Sequence, residues 1–546
     1  MEKVFRIVPY GLVIYFLLAN LLLYVVYQPL IGRIRETPAG KVYFLNPIFD
    51  RYDYNYYLSA IKSGIEGKYN WTDPFTTEET KPGYFFTFYL VSGRAGSLFR
   101  LPPYIIYHLS QILAIELYFL AVYLIASLIF KRQLALWMCI LAIFGTIAPL
   151  VLFGEIFAFI TYIPFWIWFG SLGRLMIPPH HIFGQALLIL TIFSFIKFYR
   201  TDLKKYLLTT LASLFIGGIT YTPIILVFLI ALPGAYLWFI VRDYFTDKHR
   251  RPQIQQVYGV ILVCVFALGF GALARFLTGR GFPWNMYIDW EIEMWNNNPQ
   301  FNKSLPLVFG ILPLLAIPAL IRSLIRNKFE EVFLVFWAVL PFMLMPFGDI
   351  LGIGKFRFLT LAPSVPLAAL SVKTIFQLIP RIKLTREFKI PFFQILIVGI
   401  FFFSSYVANR DLFHHSMVQA KFGPHPEEYY LTKEVWQSIK FLKGKGKQNI
   451  MVSQKMGNII PAHTDMKTYT GHIVFTKDWS RKNVIIRDFY SGRINPENAE
   501  KLLRENKITY VYLGNEEKSY GNAVTKYPFL EEIFNNNAVI IYKLNR

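Results

Sequence analysis

Apolar runs about 20 residues long recur along most of this chain, and lipid is the solvent they fit. That length matches one bilayer crossing by an α-helix, and hydrocarbon tolerates only helices and closed barrels. Composition agrees: of 546 residues, 55% are hydrophobic, 18% aromatic and only 16% charged, outside the usual soluble mix. Spans are expected near 7–28, 105–130, 133–153, 180–199, 204–219, 221–242, 254–275, 305–325, 330–347, 358–379 and 389–408. The fold class is an α-helical polytopic membrane protein with about eleven transmembrane helices.

The net charge of +22 does not imply nucleic acid, because Lys and Arg gather in short loops between spans. Lys131 and Arg132 share one side with Lys197, Arg200, Lys204 and Lys205. Arg242, Lys248, Arg250 and Arg251 fall there too, as do Arg322, Arg326 and Lys328, then Arg381, Lys383, Arg386 and Lys389. The positive-inside rule makes that side cytoplasmic, with membrane lipid as the partner of its charge. MEKVFR before the first apolar run is expected to be the cytoplasmic end of an uncleaved anchor. The segment 155–172 is apolar, but counting it as a span would invert every later loop. It is expected to be re-entrant or interfacial. Cys139 and Cys264 both fall in spans, so no disulfide framework follows.

Two wet regions interrupt this pattern. A first outer loop, 32–104, carries apolar stripes at helical spacing: Tyr54, Tyr57, Leu58 and Ile61, then Tyr84, Phe85, Phe88 and Leu98. They are expected to be amphipathic helices lying on the membrane. The turn-rich, acidic stretch between them is expected to be exposed. From about 409, strand-like runs at 449–453, 468–475, 508–514 and 538–544 alternate with helical stretches near 431–444, 481–491, 496–506 and 528–535. A small extracytoplasmic α/β domain over 409–546 is expected, beside a membrane domain over 1–408.

Asp50 and Asp53, one helical turn apart early in the first outer loop, are the sharpest chemical signal. Capping explains both, since the start of a helix favours acids. The functional alternative makes Asp53 a general base that takes a proton from an acceptor hydroxyl at the bilayer surface. Ionisable groups at membrane edges come next. They are Glu155, Arg174, His180 and His181 at a span mouth, and Lys355 with Arg357 in GIGKFRFL. The last two either snorkel to headgroups or clamp a lipid phosphate. A divalent metal on Asp50, Asp53, Glu155 or His181 stays open, without tight ligand spacing behind it. At 281–298, Trp284, Trp290 and Trp295 form an interfacial belt or stack on sugars, and Asp289, Glu291 and Glu293 look like a solvated edge. His472, after Gly471, is a surface histidine or a substrate contact. No G-x-G-x-x-G or P-loop appears in the tail, so no cofactor follows.

At these residues the chain resembles the GT-C superfamily of membrane glycosyltransferases, related to the protein O-mannosyltransferase and aminoarabinose transferase families. The carrier is D-x-x-x-Y-L at Asp53, Tyr57 and Leu58, followed by IKSGIEG. PFTTEE, PPHHIFGQAL, KFRFLTLAPSVPLAAL, TGHIVFT and ITYVYLG add to it in order, over nearly the whole chain. The resemblance resolves to a large bacterial branch. It implies an inverting transfer of a sugar from a polyprenyl-phosphate donor to a glycan, lipid or protein acceptor, on the outer face of a bacterial plasma membrane. By the same resemblance Asp53 holds the catalytic acidic position, and Lys355 and Arg357 the donor-phosphate cations. Asp50, Tyr57, Glu155, Arg174, His180 and His472 are expected to contact substrate. No D-x-D stands here, which leaves metal dependence open. A lipid-linked polymer ligase would need similar groups. A transporter or flippase is disfavoured by the long first loop and the lack of internal repeats.

Overall fold

The computed structural model describes residues 10–47, 51–144, 173–245, 253–297, 309, 312–326, 328–378, 399 and 430–545. Among them, six helices are long and apolar enough to cross a bilayer: Tyr15–Arg35, Pro103–Ile129, Pro179–Thr201, Thr222–Phe245, Ile254–Thr278 and Phe329–Leu351. This is a multi-pass membrane chain. For the expected spans at 133–153, 204–219, 305–325 and 358–379, the described residues include helices Arg132–Phe144, Lys204–Thr220, Leu312–Arg326 and Ser364–Lys373. The segment 155–172 and the span at 389–408 lie outside the described residues, as do Asp50 and Glu155.

Two compact units emerge. One is drawn from Met1–Gln28, Gln111–Phe276 and Glu291–Met417, the other from Pro29–Ser110, Leu277–Trp290 and Val418–Arg546. The first loop therefore shares a unit with the C-terminal chain.

In the first unit, helices Pro179–Thr201 and Lys204–Thr220 form a close antiparallel pair behind a left-handed cap at Asp202. Helix Ser364–Lys373 is buried along its whole length. The apolar stripe of helix Phe329–Leu344 faces neighbouring helices, and Trp337 fixes it by donating its indole N–H to the Leu361 carbonyl at 2.7 Å.

The second unit holds the strands. β1 (Lys41–Tyr43) pairs antiparallel with β2 (Tyr430–Thr432). β3 (Asn449–Met451), β4 (Lys467–Thr468), β5 (Ile508–Leu513), β6 (Leu530–Asn535) and β7 (Ile540–Leu544) form a sheet of order β4-β3-β5-β7-β6. β4, β3 and β5 run parallel, and β7 and β6 are antiparallel to their neighbours. Period-two alternation feeds a core on each face. Val511, Leu513 and Met451 join Ile486, Phe489 and Leu503 on one side. Tyr510, Tyr512 and Ile450 join Ile439, Leu442 and Ile460 on the other. Thr432 and Asn495 cap two of the flanking helices with their side chains.

Four expectations are corrected here. The stretch 528–535 is strand β6, not helix, because Asn536 turns the chain: its Oδ1 accepts from the backbone N–H groups of Ala538 and Val539. The run 468–475 is strand only at its start and then turns. Helix Gln454–His463, between β3 and β4, matches none of the expected elements. Finally, the first loop stripe is core, not membrane-lying surface, while the second is mixed: Phe85 and Phe88 are half-buried against that core and Leu98 is exposed. Tyr54, Tyr57, Leu58 and Ile61 are all buried, with Trp71 and Phe75 from the supposedly exposed acidic stretch beside them. The backbone carbonyls of Pro74 and Phe75 accept from Thr468 N–H and the Thr476 hydroxyl at 3.0 and 2.9 Å, which ties that stretch to the C-terminal chain.

Glycine lets the loop helices meet. Helix Arg51–Ile65 crosses helix Thr87–Ser97 so closely that a Cβ on Gly64 would strike the Leu90 carbonyl, a backbone atom that cannot swing aside. Gly64→Ala is expected to lower the unfolding free energy by about 1–3 kcal/mol. Gly444→Ala, which meets only ordinary contact at Phe441, serves as the control. Thermal unfolding of the purified full chain checks this. Equal melting temperatures for the two variants would refute the close crossing.

Candidate functional site

Asp53 stands in the first turn of helix Arg51–Ile65, where the dipole favours a negative charge. Its Oδ1 accepts from Nε2 of His472 at 2.9 Å, and its Oδ2 accepts from the Tyr56 hydroxyl at 3.4 Å. His472 is 3% exposed while the Asp53 side chain keeps 34%. A buried donor thus orients a carboxylate that solvent, or a substrate hydroxyl, still reaches.

The histidine has little freedom. Its Nδ1 accepts from the Val474 N–H at 3.3 Å, which leaves the proton on Nε2 and aims it at Asp53. The ring lies in an aromatic box, with centroids of Tyr52 at 4.6 Å, Tyr56 at 5.0 Å and Phe475 at 5.2 Å. Tyr52 fastens the loop that carries it. Its hydroxyl donates to the Gly471 carbonyl at 3.2 Å and accepts from Ile473 N–H at 3.0 Å and from Gln454 Nε2 at 2.7 Å. Burial pushes the Tyr52 phenol up to about 12, so it stays a donor at physiological pH. Asn458 Nδ2 donates to the Tyr52 carbonyl at 2.8 Å. Gly457 lets the loop lie flush on helix Gln454–His463, because a Cβ there would hit the Thr470 carbonyl.

A second cluster lies in the first unit. Arg357, on the short helix Phe356–Leu359, is 9% exposed. Its Nε and Nη2 both donate to Glu291 Oε1, at 2.9 and 2.5 Å, and its Nη1 donates to the Tyr221 hydroxyl at 3.2 Å. Tyr221 meets the Thr360 hydroxyl at 2.5 Å, and Thr360 donates back to the Arg357 carbonyl. The Tyr221 ring lies 4.6 Å from that of His181 and 6.2 Å from that of His180. Lys355 donates its Nζ to the Asn296 carbonyl at 3.0 Å and its backbone N–H to Asn296 Oδ1 at 2.7 Å.

The expected site residues therefore divide. Asp53 and His472 come together in one unit. Lys355, Arg357, His180 and His181 lie in the other. Tyr57, expected at substrate, is instead buried in the loop core and stacked on Tyr89 at 4.6 Å. A ligand could not reach it without opening that core. Arg174 lies on the four-residue helix Gly173–Met176. Glu291, taken for part of a solvated edge, is a buried ion-pair partner. The signal was helical spacing: Trp284, Tyr287 and Glu291 stand at i, i+3 and i+7 on helix Trp284–Asn296. Among the described residues no three metal-ligating side chains gather, and both Asp53 oxygens already accept hydrogen bonds. No step is assigned to a metal.

No protein-family profile matches the chain, and no curated protein matches it in sequence. Solved structures do match it in shape. The arabinofuranosyltransferase AftD from Mycobacteria aligns over 96% of this chain and 42% of its own, at 12% identity and a TM-score of 0.50. The oligosaccharyltransferase AglB from Archaeoglobus fulgidus, in complex with an inhibitory peptide and a dolichol-phosphate, aligns over 91% and 70%, at 13% identity and 0.49. ArnT from Cupriavidus metallidurans, bound to undecaprenyl phosphate, aligns over 97% of each, at 11% identity and 0.45. The likeness to the arabinofuranosyltransferase gives this chain a GT-C fold.

The Arg357–Glu291 pair carries a stability prediction. Truncating one partner leaves a buried charge unmatched, at a cost of about 3–5 kcal/mol. Arg357→Met and Glu291→Met singly should each lower the melting temperature of the purified chain, and the double variant should recover most of the loss. Additive losses would show that the two side chains do not interact.

Proposed function

We propose that the chain is an inverting glycosyltransferase that moves a sugar from a polyprenyl-phosphate donor to an acceptor hydroxyl at the outer face of the membrane. The observation that carries this reading is the partly exposed Asp53 carboxylate, held by the buried His472 N–H at 2.9 Å. The GT-C fold supports it.

In this mechanism Asp53 accepts the proton of the acceptor hydroxyl as that oxygen attacks the anomeric carbon. The bond from that carbon to the phosphate oxygen breaks, and the phosphate leaves with the electron pair. A single displacement inverts the anomeric configuration. His472 holds the carboxylate in its attacking rotamer. The leaving phosphate needs a cation to meet its developing charge rather than a general acid. Arg357 is the residue that the resemblance names for that role, its guanidinium sharing its donors between Glu291 and the phosphate. Because one base and one cation suffice, the paired carboxylates of a retaining glycosidase are not required.

The test uses the purified full chain in nanodiscs with a labelled polyprenyl-phosphate sugar. Asp53→Asn should cut transfer by roughly 10²- to 10⁴-fold while donor binding persists. Transfer at a near-normal rate would remove Asp53 from the chemistry. Arg357→Lys keeps a charge opposite Glu291 but loses the planar fork, so the donor KM should rise about tenfold. An unchanged donor KM would place the phosphate site elsewhere.

A further inference from the structure

Away from Asp53, the second unit has a cleft of about 230 Å³, its walls part apolar (Pro74, Pro461 and Met466) and part charged, that plays no part in the mechanism above. Four lysines from four separate stretches line it. Lys62 comes from the end of helix Arg51–Ile65, Lys68 from the turn after it, Lys447 from the approach to β3 and Lys467 from β4. Asp465 is the one acid among its lining residues. Ser63, Thr72 and Gln448 are among the other residues that line it.

The lysines are not equivalent. Lys62 forms the floor, its side chain 19% exposed and its ammonium held by the Thr464 carbonyl and, at 3.1 Å, by Asp465. Burial holds that ammonium below its ordinary range, so it gains from further negative charge. Lys68 leans on Glu66 at 2.5 Å. Lys447 at the rim is exposed and Lys467 half-buried. A surface that only needed solubility would intersperse its signs and spread like charges apart. Lys62 and Lys68 have acids beside them, Asp465 and Glu66, but register gathers two further lysines: β3 pairs with β4 so that Asn449 faces Lys467, which brings Lys467 beside the approach that bears Lys447.

We propose that this cleft binds a phosphate or carboxylate group borne on a saccharide. Lysine suits a compact anion, while hydroxyls and amides suit the sugar carrying it. The volume is below the roughly 300–1,000 Å³ of a drug-sized ligand cleft, so it holds one charged ring rather than an extended chain. Lys62 and Asp53 share a helix but stand nine residues apart, about 14 Å along its axis and on opposite faces. The cleft is thus a binding site separate from the reacting centre, and its existence does not rest on the reaction proposed above.

Calorimetric titration of the purified full chain in neutral detergent, at constant ionic strength, tests this. Inorganic phosphate and glucose 6-phosphate should both bind saturably, the sugar phosphate tighter, and methyl glucoside should not bind. Lys447→Glu/Lys467→Gln should weaken glucose 6-phosphate at least about tenfold. Lys501→Glu, on an exposed helix of the same unit, should leave it unchanged. Asp53→Asn should also bind normally, which separates this cleft from the reaction. Melting temperatures of the variants confirm folding. Absence of saturable binding, equal binding by the double lysine variant, or binding only to phosphatidylglycerol vesicles would each overturn the proposal.

Discussion

A hydrogen bond between residues 419 positions apart, His472 to Asp53, ties the first loop to the C-terminal chain and fixes the acid on which the proposed chemistry depends. A carboxylate on the first turn of a helix has several rotamers and nothing to choose among them. The imidazole chooses one, because its own orientation is set by a backbone N–H on its far nitrogen and by rings on its faces. Tyr52 supplies both a ring and the anchor for the loop, so one side chain serves histidine and backbone together. The result is order on the protein side of Asp53 and access on the other.

The same economy shapes the first unit. Arg357 is expensive to bury, and three donors placed on two oxygens compensate it: one from Glu291 and one from Tyr221. Tyr221 then passes its own proton to Thr360, which returns to the Arg357 carbonyl. Such a closed ring of bonds holds a cation ready without exposing it to water.

Six spans and the acidic first turn at Asp53 were legible in the chain because they obey local rules: span length and the preference of a helix start for acids. The D-x-x-x-Y-L stretch lies on helix Arg51–Ile65, where Tyr57 is part of the core. Partners distant in sequence were not legible. His472 sat in a run that looked like a strand, so its turn geometry and burial could not be inferred. Glu291 was hidden by alternation with Asp289 and Glu293, which suggested an edge when a helical count would have placed it inward. The amphipathic stripes of the first loop were correctly periodic, but periodicity names a buried face without naming what buries it. For the first stripe the cover is the loop's own Trp71, Phe75 and Tyr89 together with Val474 and Phe475 of the C-terminal chain. β6 shows the same limit, since Leu530, Ile533 and Phe534 fit a helix until the Asn536 turn pairs them with β7.

The central claim is that His472 acts through Asp53, as a positioning residue rather than a substrate contact. His472→Phe retains the aromatic packing and removes the donor. Steady-state transfer by this variant, at varied donor and acceptor, measures the claim most directly. The account predicts a fall in kcat of roughly a hundredfold, the cost of a misplaced catalytic group, with the donor KM unchanged. An unaltered kcat, or a loss confined to the donor KM, would contradict it.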